Sequence, residues 1–112
     1  MPKSITRTYS QYSRDAAVLL GALIREARNA SKLTAQELAD RAGISRGLLQ
    51  RIEKGNLKCE IGAVFEVATI VGIKLFEADE RDLNQQLRHT NEKLALMPKS
   101  VRRPSKKVKD DF

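Results

Sequence analysis

Residues 33–55 read LTAQELADRAGISRGLLQRIEKG, and this stretch decides the fold. It spells two short helices joined by a tight turn. Thr34 is a good N-cap, because its hydroxyl accepts a bond from a first-turn amide that has no helical partner. Glu37 stands three residues later and completes a capping-box pattern. Leu38, Ala39 and Ala42 follow at helical spacing. Gly43 then supplies a left-handed residue that stops the helix at low cost. Ile44 pins the turn to the core, and Ser45 caps a second helix whose Leu48, Leu49 and Ile52 face inward. Arg46, Gly47, Gln50 and Arg51 are left on the outer face, and Gly55 ends the helix.

Around this stretch, composition narrows the class. A chain of 112 residues is one domain with tails. Three Phe, two Tyr and no Trp argue against an aromatic-rich sandwich and against a base-stacking platform for single strands. Ala, Leu, Ile and Val at helical spacing favour an all-α core. The formal net charge is +7, which attracts polyanions without choosing among DNA, RNA and acidic membranes. Its distribution is uneven: residues 1–32 carry +4, 33–76 carry +1, 77–97 carry −2 and 98–112 carry +4. Long-range attraction therefore comes from the flanks, and any reading from local side chains. The single Cys59 has no internal disulfide partner and no ligand cluster beside it, so neither metal nor cofactor is implied and a reducing cytoplasm is the expected setting. No run of about 18 apolar residues exists to form a membrane span. The N-terminus lacks the apolar core of a secretion signal, and no internal repeat is visible.

The remaining segments order themselves about the central pair. Residues 1–12, with Lys3, Arg7, Tyr9 and Tyr12, read as a flexible arm. Residues 13–76 hold the main domain. Ser13 is the expected cap of a long first helix, with Asp15 near its positive end, a buried stripe of Leu20, Leu23, Ile24 and Ala27, and Arg25 and Arg28 near its far end. The helix should stop near Ala30 to Lys32. A loop at 56–60 leads to a fourth, strongly apolar helix from Ile61 to Val71, with Val64, Phe65, Ala68 and Val71 as its expected buried face. Gly72 ends it, and Ile73, Leu75 and Phe76 are expected to close the core. Residues 77–97 hold a fifth helix, from about Asp79 to Met97, with an acidic start suited to the helix dipole. Its Leu83, Leu87, Leu94 and Met97 recur in a roughly heptad pattern interrupted by Thr90. That seam either makes a dimer contact or packs on the first helix. Residues 98–112 are rich in charge and almost free of apolar groups, and are expected to be disordered when free. Arg102, Arg103, Lys106 and Lys107 are the tail's candidate contacts, with a solubilising role as the alternative.

An α-helix fits the major groove of DNA, and a helix-turn-helix projects its second helix there. On this reading Arg46, Gly47, Gln50 and Arg51 meet base edges. Arginine is the best donor to guanine O6 and N7, glutamine suits adenine, and Gly47 permits close approach. Gln36, Ser45 and Lys54 suit phosphate oxygens. The bland alternative, an ordinary solvated helix face, is outweighed by a close resemblance. Thr34, Leu38-Ala39, Gly43-Ile44-Ser45 and Ile52-Glu53-Lys54-Gly55 resemble the Xre/Cro/cI-type helix-turn-helix family over about residues 18–76. The resemblance implies an all-α, compact five-helix bundle of the lambda-repressor-like type. It also implies binding to double-stranded DNA, as a homodimer on a palindromic operator, and an ion pair between Arg28 and Glu53 that clamps the first helix to the third. Ala35 stands where many members carry a phosphate-contacting glutamine, and Gln36 follows it. More narrowly, the tyrosine-containing arm, long first helix and basic tail are similar to antitoxins of HipA-kinase toxin–antitoxin modules, which implies a toxin partner and autoregulation.

Three functions are weighed. A dimeric transcriptional repressor, stand-alone or phage-type, is the first. A protein-binding antitoxin or adaptor is the second, and the two are compatible. An enzyme is the third, and it is disfavoured: the one His (His89) and one Cys pair by sequence with no catalytic group, and the acidic pairs near residue 80 and at Asp110-Asp111 are explained by capping and solvation.

Overall fold

The computed structural model describes residues 8–76 and 79–101. Among them the chain forms α1 (Gln11–Ala30), α2 (Ala35–Ala42), α3 (Arg46–Glu53), α4 (Ile61–Ile70) and α5 (Glu80–Ala95), with no strand. These helices fall into two units divided between Leu75 and Phe76.

In the first unit, starts and stops follow from local chemistry. The Thr34 hydroxyl accepts from the Glu37 amide at 3.0 Å, and the Glu37 carboxylate accepts from the Thr34 amide at 2.9 Å, so the capping box is complete. Ser45 Oγ accepts from the Leu48 amide at 3.0 Å and starts α3. The four helices end alike. Lys32, Gly43, Gly55 and Gly72 each take a positive φ just past a helix end. The amide that follows each of them turns back to a carbonyl of the last turn: Leu33 to Arg28, Ile44 to Ala39, Asn56 to Arg51, and Ile73 to Ala68. Three of the four left-handed positions hold glycine, which has no Cβ to clash there; Lys32, at φ 59°, is the exception.

The core is small and wholly aliphatic. Ile24, Leu38, Ala39, Leu49, Ile52, Ala63, Val67 and Ala68 are buried, with Leu20, Ala42, Ile44, Leu48, Val64, Val71 and Ile73 packed against them. Ile24, Leu38, Leu49 and Val67 are fully enclosed. Each such side chain contributes about 2 kcal/mol by leaving water. α2 packs on α4 and on α3, and α3 on α1, so α3 is held from two sides and keeps a third free.

Four local expectations are corrected. α1 starts earlier than Ser13: Ser10 is the cap, and its Oγ accepts from the Ser13 amide at 3.2 Å. Gln11 and Tyr12, read from sequence as arm, are therefore helical, and Asp15 lies beyond the first turn, accepting from Gln11 Nε2 at 2.9 Å. Leu23 is not part of the buried stripe but 40% exposed. In α4 the buried face is centred on Val67, with Ala63 and Ala68, while Phe65 is turned outward. A helix that is apolar on almost every side gives periodicity nothing to select. Ile73 packs on the core, whereas Leu75 and Phe76 are exposed.

In the second unit, Asp79 caps α5 by accepting from the Asp82 amide at 2.9 Å, and Glu80 and Asp82 sit in the first turn. α5 ends at Ala95, so Met97 lies in the turn after the helix rather than within it. No residue of α5 is buried. Among the described residues, no helix is long and apolar enough to cross a membrane.

Candidate nucleic-acid interface

α3 is eight residues long, and its two sides differ completely. Leu49 and Ile52 are buried and Leu48 is half-buried, whereas Arg46, Gly47, Gln50 and Arg51 are all exposed, as is Lys54 at the C-cap. Helical geometry places Arg46 beside Gln50 and Gly47 beside Arg51, each pair four residues apart on one face. The acid of this helix, Glu53, is drawn away from that face. Arg28 Nε donates to Glu53 Oε2 at 2.7 Å and Arg28 Nη2 to Oε1 at 3.0 Å, a fork-to-fork pair across α1 and α3. The side chains are only 12% and 9% exposed. Arg28 Nη1 donates further to the Leu33 carbonyl at 3.0 Å, tying the α1–α2 connection to the same cation. The Glu53 hydrogen bond and charge outweigh burial and raise the Arg28 pKa above its ordinary value, so the cation persists throughout the physiological range. The outward face of α3 consequently carries Arg46, Arg51 and Lys54 with no carboxylate of its own helix.

Gly47 shapes that face. A Cβ added there would lie 3.7 Å from Arg51 Nη1 and 4.0 Å from Ser45 Oγ. The Arg51 guanidinium thus lies back along the helix, over the glycine and towards the first turn. The Arg51 guanidinium is thereby brought towards the end of α3 at which Arg46 stands, although five residues separate them. Ser45 spends one of its two oxygen lone pairs on the cap and retains its hydroxyl proton for donation. Gln36 is exposed on α2; one of its two amide N–H groups donates to Asp40 Oδ1 at 2.9 Å, and the other is left for a phosphate. Leu83, Leu87 and Leu94 lie on α5 and Met97 just past its end, in the second unit. Arg102, Arg103, Lys106 and Lys107, and the arm residues Lys3 and Arg7, lie outside the described residues.

Two positioning residues were not singled out from sequence in this role. Gly21 is buried in the middle of α1, and a Cβ there would stand 2.5 Å from the Ile52 carbonyl oxygen and 2.7 Å from that of Glu53. Gly55 faces α1 in turn: a Cβ there would stand 2.7 Å from Val18 Cα. α1 and the end of α3 therefore meet backbone to backbone at two points, beside the Arg28–Glu53 pair. The available signal was a glycine inside an otherwise strong helical pattern, which marks either a tolerated weakness or a close approach.

A capped helix, a glycine turn and a second helix with a free cationic face form the arrangement that places a helix in a DNA groove. A search of curated proteins finds none that matches the chain. A family model described as a helix-turn-helix domain matches residues 19–83, more than half of the chain and the whole of α2, the Gly43 turn and α3. The chain belongs to the helix-turn-helix domain family, a DNA-binding class.

Proposed function

We propose that the chain is a sequence-specific transcriptional repressor that acts as a homodimer on a palindromic operator, in the manner of Xre-type regulators. Arg46, Gln50 and Arg51 read base edges from α3, Gly47 lets the helix approach, and Ser45, Gln36 and Lys54 hold phosphates. The observation that carries this reading is the free face of α3, basic and without a carboxylate, on a helix anchored from behind by Arg28–Glu53 and the Gly21 contact. Each good bidentate arginine–guanine contact discriminates by roughly 1–3 kcal/mol. The test is selection of bound duplexes from a random-sequence pool, followed by titration of the selected site against scrambled DNA. The Arg46→Ala/Arg51→Ala variant is expected to bind both alike; full preference in that variant defeats the assignment.

Capture of a kinase toxin by the same protein, with autoregulation of a shared operon, rests on the narrower resemblance of the arm, first helix and tail. A pull-down with and without residues 98–112 tests it. Loss of each phosphate-contacting cation should also lower the slope of log affinity against log salt by about one.

A further inference from the structure

We infer that α5 pairs antiparallel with α5 of a second copy, and that this pairing forms the two-fold axis of the dimer; the inference rests on the homodimer proposed above. α5 has no buried residue, and Leu83, Leu87 and Leu94 are 44%, 59% and 57% exposed. Steps of four and seven place all three on one side of the helix. A helix of 16 residues with no fully buried side chain is marginal in water by itself. Its apolar side therefore calls for a cover.

Charge supports a second copy as that cover and fixes its direction. The start of the segment carries Asp79, Glu80 and Asp82 against Arg81, a net −2. The other half carries Arg88, Lys93 and Lys99 against Glu92, a net +2. Two parallel copies would set acid against acid at one end and base against base at the other. Antiparallel copies set each acidic start against a basic end, and oppose the helix dipoles as well. The leucine pattern accepts this arrangement: Leu83 of one copy meets Leu94 of the other, with Met97 adjoining, and Leu87 meets Thr90. The axis then passes between Arg88 and His89. Few side chains are covered, fewer than the ~1,600 Å² of a standard interface requires, so the dimer is weak in free solution and is reinforced when both copies sit on one DNA.

The full chain carrying Cys59→Ala is the background for the test. Sedimentation equilibrium at high protein concentration reads the mass. Leu83→Cys and Leu94→Cys are then oxidised separately and as a mixture. Antiparallel pairing yields a mixed disulfide between the two variants. It yields none within either alone, because two copies of residue 83 stand about 16 Å apart along the axis, beyond disulfide reach. Homodisulfides in each variant alone mean a parallel dimer and overturn the orientation while sparing the homodimer; a monomer at all concentrations overturns both. A second measurement leaves the leucines intact. Nitroxides at Arg81→Cys and Arg88→Cys occupy equivalent heptad positions. Antiparallel pairing separates the labels at 81 by about 20 Å more along the axis than those at 88. Equal separations at the two sites overturn the proposal.

Discussion

Replacing Gly21 by alanine should destabilise the protein, although the same change in most helices stabilises it. An interior Gly→Ala gains about 1 kcal/mol in helix propensity. Here the new Cβ would lie 2.5 Å from the Ile52 carbonyl oxygen, 2.7 Å from the Glu53 oxygen and 2.9 Å from the Glu53 carbonyl carbon. All three are backbone atoms of α3, so no rotamer change relieves them, and the two helices must separate. Overpacking of this kind costs about 1–3 kcal/mol, and occasionally more. The backbone character of the clash and the strain passed to the adjoining Arg28–Glu53 fork place this case at or above the upper end. After the propensity gain, a net loss of about 2 kcal/mol is expected, which lowers the midpoint of a domain this size by roughly 8–16 °C. Gly47→Ala is the internal control. Its Cβ would meet nothing closer than 3.7 Å, so this first-turn position should gain part of the propensity term and stabilise by up to about 1 kcal/mol. Urea unfolding followed by circular dichroism measures both. A Gly21→Ala protein as stable as the parent, or more so, would show that α1 and α3 do not meet at their backbones and would refute the reasoning.

Arg28→Ala should cost about 3 kcal/mol, because it strands a nearly buried carboxylate, and Arg28→Ala/Glu53→Ala should cost clearly less than the two single changes added together; a double-mutant cycle in urea reads the coupling. Because the Arg28 pKa is raised on folding, its contribution is fully present below the ordinary arginine value and is lost only as pH rises through the folded-state value. The Arg28-dependent part of stability should accordingly stay flat from neutral pH to pH 10, as a comparison of parent and Arg28→Ala midpoints checks. Lys32→Gly should stabilise by about 1 kcal/mol, since Lys32 occupies a left-handed conformation at φ 59° that the three equivalent helix ends give to glycine; thermal unfolding decides the sign.

What could be read from the sequence was the chemistry that acts within a few residues. The Thr34–Glu37 box, the Gly43 stop and the Ser45 cap are side-chain-to-backbone bonds over three or four positions, so residue types and spacing are enough to find them. Ser10 and Ser13 show the limit. Both can cap, and the choice depends on where the helix begins, which the Gln11–Asp15 bond helps to extend. Phe65 shows another: α4 is apolar on nearly all sides, so the face that meets α2 is chosen by tertiary packing. Periodicity also did not supply the Arg28–Glu53 pair, which joins residues 25 apart and came from the family resemblance. Gly21 lay further still from view, because the atoms that demand a glycine belong to the end of another helix. In the candidate interface, the exposure of Arg46, Gln50 and Arg51 followed from the inward set of Leu48, Leu49 and Ile52. The folding back of Arg51 over Gly47 did not, since it depends on a side-chain course that spacing does not give.

Chemical interference on the selected operator tests the central claim most directly. Methylation of guanine N7 blocks the major-groove edge, while methylation of adenine N3 blocks the minor groove. If α3 lies in the major groove with Arg46 and Arg51 on base edges, N7 methylation at two symmetry-related guanine clusters abolishes binding of the parent protein. The same methylation then has little effect on the weak binding that Arg46→Ala/Arg51→Ala retains. Interference confined to adenine N3, or N7 interference undiminished in the double variant, would contradict the account.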